Sequence, residues 1–221
     1  SFGASTGFLA GWALLLDYLF LPMLNYMVIG IYMGVAFPAI PAWIWVVAAI
    51  AIVTTFNVIG IRLVASANMI LIAAQAVFIL VFVVMSLGTY AGYAEPISPL
   101  APFYSEGFDA GTIFAGAAIL CLSFLGFDAV STLAEETRDP RRIIPRAILL
   151  CTVLSGSIYL GLSWLGHVAF PDWMSFTDPD SAAVDVMVHV GGTFLSTFFT
   201  AAYVAGCIAS AMASQVSVSR I

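Results

Sequence analysis

Of the 221 residues, 62% are hydrophobic and 8% charged, the formal net charge is −6, and the mean hydropathy is +1.09. Such a balance excludes a soluble globular chain, and an acidic chain offers no electrostatic footprint for nucleic acid. The sequence is that of a polytopic membrane protein, with the lipid bilayer as its solvent.

Taken in windows of about 19 residues, the chain holds six apolar stretches long enough to cross roughly 30 Å of hydrocarbon, near 7–34, 42–60, 64–88, 112–136, 143–168 and 192–219. Each is apolar on every face, whereas a barrel strand alternates in polarity over about ten residues, so the fold is predicted to be all-α, one transmembrane domain over 1–221. The first stretch contains LLLDYLFLPMLNYM (14–27), which sets Asp17, Tyr18, Asn25 and Tyr26 inside the span, with Pro22 predicted to kink it. At about 100° per residue, Asp17, Tyr18 and Asn25 share a polar sector that should face the protein interior. Between the third and fourth stretches, the prolines of PISPLAPFY (96–104) rule out helix. Between the fifth and sixth, DSAAVDVMVHVGG (180–192) reads as a short amphipathic helix near 181–190, capped by Asp180 or Ser181.

The six basic residues are all arginine, and six crossings place Arg62, Arg138, Arg141, Arg142, Arg146 and Arg220 on one side. The opposite loops hold Glu95, Glu106, Asp109, Asp172, Asp178, Asp180 and Asp185. The positive-inside rule makes the arginine side cytoplasmic, and adding or losing one crossing would scatter the arginines over both faces. The acidic outer loops either steer cations or are plain solvated surface. His167 and His189 read as interfacial histidines satisfied by water, with a proton relay as the alternative. Cys121, Cys151 and Cys207 fall inside spans without metal or disulfide spacing and read as small buried apolar residues; neither metal nor cofactor is expected.

In SFLGFDAVSTLAEETRDPRR (123–142) the fourth stretch carries Asp128 two residues after Gly126. A charged side chain at the centre of a membrane helix costs about 2.5–3.5 kcal/mol on insertion scales, so Asp128 should face a cavity or a partner. The glycine weakens the helix there, and an unwound segment is tolerated only where it lines a cavity or is buried in protein. Broken helices of this kind build substrate and ion sites in secondary transporters. The plainer alternative is a tight helix crossing at Gly126 with Asp128 bonded to a neighbouring hydroxyl. Glu135 and Glu136, against Arg138, Arg141 and Arg142, either hold an inner gate by salt bridges or form a hydrated interfacial network. Two separated carboxylates, Asp17 and Asp128, with aromatic rings nearby, suit a cation with two amino groups, or one binds substrate while the other carries a proton. No nucleophile–base pair or phosphate loop points to an enzyme.

GFLAGWALLLDYL (7–19) and FLGFDAVSTLAEETRDPRRIIPRAI (124–148) resemble the amino acid–polyamine–organocation permease superfamily, and LLDYLFLPMLN with AEETRDP is similar to its bacterial putrescine importers. The resemblance implies a leucine-transporter-like inverted-repeat fold of twelve helices, of which this chain matches helices three to eight. With Ser1 at its start and Ile221 inside a helix end, the chain is expected to be a fragment. It further implies that the helix at 112–136 is broken at Gly126, Phe127 and Asp128 around the substrate, and that the acid at Asp128 meets a cationic substrate or responds to protons. Tyr18 matches a cavity-facing position, and Ser210, Ser214 and Gln215 approach the region that completes the pocket. Where some relatives carry a coupling lysine, this chain has Gln75, whose amide releases no proton; its alternative role is an interhelical hydrogen bond.

The expected function is secondary active import of a small organic cation, putrescine, by alternating access with proton coupling in a bacterial inner membrane, with sodium as the alternative coupling ion. The expected substrate-binding set is Asp17, Tyr18, Ser123, Gly126, Phe127, Asp128 and Ser214, and the coupling or gating set Gln75, Asp128, Glu135 and Glu136. An amino acid permease of the same superfamily is the alternative, and a non-transporting membrane subunit a further one. The expected partners are the bilayer, the cationic substrate and the remaining helices of the parent.

Overall fold

The computed structural model describes residues 3–59, 61–93, 97–103, 109–124, 126, 130 and 137–218. Among them all regular structure is helical: α1 (Ala4–Ala36), α2 (Ala42–Ile59), α3 (Ile61–Ala91), α4 (Ala110–Leu120), α5 (Pro140–Ala169) and α6 (Ala182–Val218). Within hydrocarbon a helix satisfies every backbone group inside its own segment, which is why these uniformly apolar runs fold this way. Five of the six, all but the 11-residue α4, are long and apolar enough to cross a membrane.

In the fourth predicted span, expected to be broken near Gly126, the α-helix ends earlier still. It stops at Leu120, tightens into a 3₁₀ turn over Cys121–Phe124, and meets Gly126 at φ +88°. That positive φ is open to glycine and strained for other residues, so helical geometry does not pass through the position. Phe127, Asp128, Glu135 and Glu136 lie outside the described residues.

Two compact units make up the chain: Ser1–Phe82 with Phe176–Ile221, and Val83–Ser175. In the first, α1 and α2 form an antiparallel hairpin. Pro38 and Pro41 end one helix and start the next, with Phe37 N–H donating to Met33 O at 2.9 Å and Ile44 N–H to Pro41 O at 3.0 Å. Gly30 and Gly34, four residues apart on α1, let the α2 backbone approach closely, the small-residue packing that membrane helices use where no hydrophobic effect drives them together. Tyr26 and Ile29 of α1, Ala49 and Val53 of α2, and Cys207, Ala211 and Met212 of α6 form the core, with Leu71 of α3 packed against it.

α6 is two helices. Gly191 (φ −145°, ψ 16°) and Gly192 (φ 60°, ψ −154°) leave helical geometry, separating a segment at 182–190 from the long one at 193–218. A 3₁₀ turn at Pro179–Ser181 precedes the short segment and is itself capped by Asp178. The Asp178 carboxylate accepts from Asp180 N–H at 3.1 Å and from the Ser181 hydroxyl at 3.4 Å.

In the second unit, the aromatic side chains beyond the end of α3 tie the loop to α5. Tyr93 OH donates to Ala169 O at 2.5 Å and Trp164 Nε1–H to Pro99 O at 2.8 Å, while Tyr90 OH closes on Ile97 O at 2.9 Å. Burial raises the Tyr93 phenol above its ordinary pKa. Phe124 stands edge-on to Tyr159, ring centroids 5.6 Å apart, in a notch made by Gly156. Cys121 and Cys151 are exposed and only Cys207 is buried, which corrects the sequence expectation; an apolar thiol on a membrane helix can be covered by lipid instead of protein.

Candidate functional site

The polar residues of α1 recur every seven positions at Tyr18, Asn25 and Tyr32, which brings them to one face. α6 runs antiparallel along that face and answers each in turn. Ser214 Oγ donates to Tyr18 O at 3.1 Å, Asn25 Nδ2 donates to Ser210 Oγ at 3.1 Å, and the Tyr32 ring meets Tyr203 edge-on at 4.8 Å. Phe199 stacks on Tyr203 at 5.2 Å and closes the aromatic end, while Phe78 of α3 reaches it at 5.6 Å. Tyr18 is 2% exposed and Ser214 3%, so two of the expected substrate-binding residues are joined at the centre of this unit. Asp17, beside them on α1, is partly buried.

A second set of bonds ties α2 into the seam. Asn57 Nδ2 donates to Gln215 Oε1 at 2.8 Å, and Gln215 Nε2 donates to Tyr26 OH at 2.9 Å, so a chain of three side chains joins α2, α6 and α1. Asn57 Oδ1 is buried and accepts no hydrogen bond from protein. Asn57 was not among the residues expected from sequence, although an amide near the end of an 18-residue apolar helix was the available signal.

Gln75 of α3 lies against α6 at Gly206, where a Cβ would overlap the Gln75 amide. Ser123 and Gly126 belong to the second unit, Ser123 exposed in the 3₁₀ turn and Gly126 at its positive φ. Among the described residues no group of three or more His, Cys, Asp or Glu side chains is placed to hold a metal ion.

The family model for amino acid permeases matches residues 1–221. The chain belongs to the amino acid permease family. It is 37% identical to the low-affinity putrescine importer PlaP of Escherichia coli over 223 aligned residues, covering 100% of this chain and 49% of that protein. It is also 29% identical to the branched-chain amino acid permease BcaP of Bacillus subtilis, covering 64% of this chain and 29% of that protein, and 23% identical to the L-asparagine permease of Salmonella typhimurium, covering 94% and 44%. This permease chain thus spans about half the length of the PlaP and asparagine permease chains. No solved structure matches it. The relatives are named as permeases and importers, not enzymes.

Proposed function

We propose that the parent protein is a secondary active transporter that imports a small organic cation, putrescine, by alternating access with proton coupling. The observation that carries this reading is the partly buried Asp17 carboxylate next to Tyr18 in the polar seam. In that seam both Asn25 amide protons are engaged, on Leu21 O at 3.0 Å and on Ser210 Oγ; both Asn57 amide protons are engaged, on Val53 O at 3.1 Å and on Gln215 Oε1; and the Ser214 hydroxyl proton is on Tyr18 O. Acceptor capacity remains on Asn57 Oδ1 and on Ser214 Oγ, whose proton is given to Tyr18 O, and donor protons remain on Gln215 Nε2 and on the Ser210 and Tyr26 hydroxyls that accept in these bonds. A partly buried carboxylate such as Asp17 suits a ligand that brings donors and positive charge. The 37% identity to a putrescine importer over the whole chain agrees with that chemistry.

In this reading Asp128 and Asp17 receive the cation or the coupling proton, Tyr18 and Ser214 belong to the substrate-binding set, and Ser123, Gly126 and Phe127 supply the broken segment. Glu135 and Glu136 gate the inner side, with the arginine-bearing loops cytoplasmic in a bacterial inner membrane. Gln75 carries no proton at physiological pH, so coupling falls to the carboxylates. The amino acid alternative is favoured by the relatives named for branched-chain amino acids and asparagine.

Uptake of labelled putrescine into vesicles carrying the full-length parent, with lysine and leucine as competitors, tests the proposal. Saturable uptake that outcompetes both amino acids, and whose KM rises roughly ten- to hundred-fold in Asp128→Asn, is expected from the loss of a charge-assisted hydrogen bond of about 1.5–3 kcal/mol. Better competition by leucine, or normal uptake by Asp128→Asn, overturns it.

A further inference from the structure

Four exposed arginines crowd the head of α5: Arg138 just before the helix, and Arg141, Arg142 and Arg146 within its first two turns. The segment 138–146 carries those four positive charges against one carboxylate, the exposed Asp139. The Asp139 side chain makes no capping hydrogen bond, so the positive end of the helix dipole faces the same place.

Below the charges one face of the helix is exposed among the described residues. Arg142 and Arg146, one turn apart, lie on one face, and three and four residues further the same face continues into Leu149 and Leu150, then into Val153 and Leu154. These four apolar side chains are between 56% and 65% exposed. Two guanidinium groups standing directly over an uncovered aliphatic stripe on a membrane helix match one class of ligand in both parts. An anionic phospholipid has a phosphate for the guanidiniums and an acyl chain for the stripe. A free phosphate would use only the first part.

We propose that the head of α5 is a binding site for an anionic phospholipid, with Arg142 and Arg146 as the phosphate ligands and Leu149, Leu150, Val153 and Leu154 as the acyl track. Guanidinium forks meet phosphate oxygens bidentately, and a basic cluster next to a membrane-helix end is where such headgroups are recognised. The site stands whether or not the parent carries putrescine.

The test uses the full-length parent purified in mild detergent and examined by native mass spectrometry after incubation with an equimolar mixture of phosphatidylglycerol and phosphatidylcholine. Wild type retains phosphatidylglycerol in preference, and the preference falls at least about tenfold in Arg142→Gln/Arg146→Gln. Arg142→Lys/Arg146→Lys, which keeps the charge that orients the chain but loses the fork, retains an intermediate preference. Equal unfolding temperatures of wild type and both variants in phosphatidylcholine alone show that the fold is intact. Equal phosphatidylglycerol retention by the Gln variant overturns the proposal. So does displacement of the lipid by millimolar inorganic phosphate, which would make the ligand a free anion. Failure of wild type to retain any phosphatidylglycerol also overturns it, because another helix of the parent would then cover the stripe.

Discussion

Gly30→Ala probes the close approach of α1 and α2. A Cβ at Gly30 would stand 2.8 Å from Val46 Cγ2 and 3.4 Å from the Ala42 carbonyl oxygen. The first contact is too short to keep, and forcing a methyl into a packed interface costs about 1–3 kcal/mol. Alanine regains up to about 1 kcal/mol of helix propensity, so a net loss of about 1–2 kcal/mol is expected. Val46→Ala removes the methyl that clashes and carries its own packing loss of about 1–2 kcal/mol. In that background the remaining contact, to Ala42 O, is tight but tolerable, and Gly30→Ala becomes neutral or stabilising. The double-mutant cycle should therefore show a coupling of about 1–2 kcal/mol in favour of the pair. Unfolding of the full-length parent by SDS titration in mixed micelles, followed by tryptophan fluorescence, reads all four corners. If Gly30→Ala is equally destabilising with valine and with alanine at 46, to within about 0.5 kcal/mol, the close approach of α1 and α2 at this point is wrong.

Asn57→Leu and Gln215→Leu should each cost about 0.6–1.7 kcal/mol, the range for hydrogen bonds between membrane helices. The double variant should cost less than the sum of the two, since each single change strands its partner; strict additivity in the same titration would mean that the two amides do not interact. At the break in α6, Gly192→Ala is expected to lose about 1–3 kcal/mol because φ 60° with ψ −154° is closed to other residues, while Gly191→Ala, at φ −145°, loses less. Nothing lies within 4 Å of a Cβ at Gly192, so the loss is one of backbone geometry, and equal unfolding temperatures for the two variants would refute it. The Thr112 hydroxyl, then the Thr112 and Gly111 amides, hold the Asp109 carboxyl below the ordinary carboxylate range. The stabilisation it lends to the start of α4 is therefore complete above the ordinary carboxylate pKa and is lost as pH falls through the lowered one. Thr112→Val should raise the Asp109 pKa, read by carbon NMR of labelled aspartate, and an unmoved titration would exclude the hydroxyl as its main cause.

The legible part of the fold was the part the bilayer dictates. Uniform apolar runs give helices because no other element closes its own backbone bonds in hydrocarbon, and α1, α2, α3, α5 and α6 lie where those runs are. In the fourth stretch the break near Gly126 was legible from the glycine ahead of Asp128, but the earlier end of the α-helix at Leu120 was not, because apolarity continues past it. Hydropathy counts side chains, and the tightening into a 3₁₀ turn is a backbone event. The polar sector of Asp17, Tyr18 and Asn25 was readable from periodicity alone, but its partners were not. Ser210, Ser214 and Tyr203 sit on a helix 185 residues away from Asn25 in one case, and only packing reveals which of the many small residues of α6 meets which position. Asn57 was missed for the opposite reason: it is isolated in its helix, and its meaning comes from Gln215.

Gln75 shows how packing changes the sense of a residue singled out by sequence. Its amide lies against Gly206, on a face of α6 where any side chain would displace it. A glycine at that point admits a flat, neutral amide against the helix backbone. An ammonium held there would need acceptors that a helix backbone, with its carbonyls already bonded along the axis, does not offer. Gln75 is thus explained by the spacing of α3 and α6. Under the proposed function a coupling proton is left to carboxylates, of which Asp17 neighbours Tyr18 on α1. The Gln75 side chain reaches Gly206 because the group between the two helices is flat and uncharged, and under the proposed function the substrate's positive charge is met elsewhere, by a carboxylate on α1.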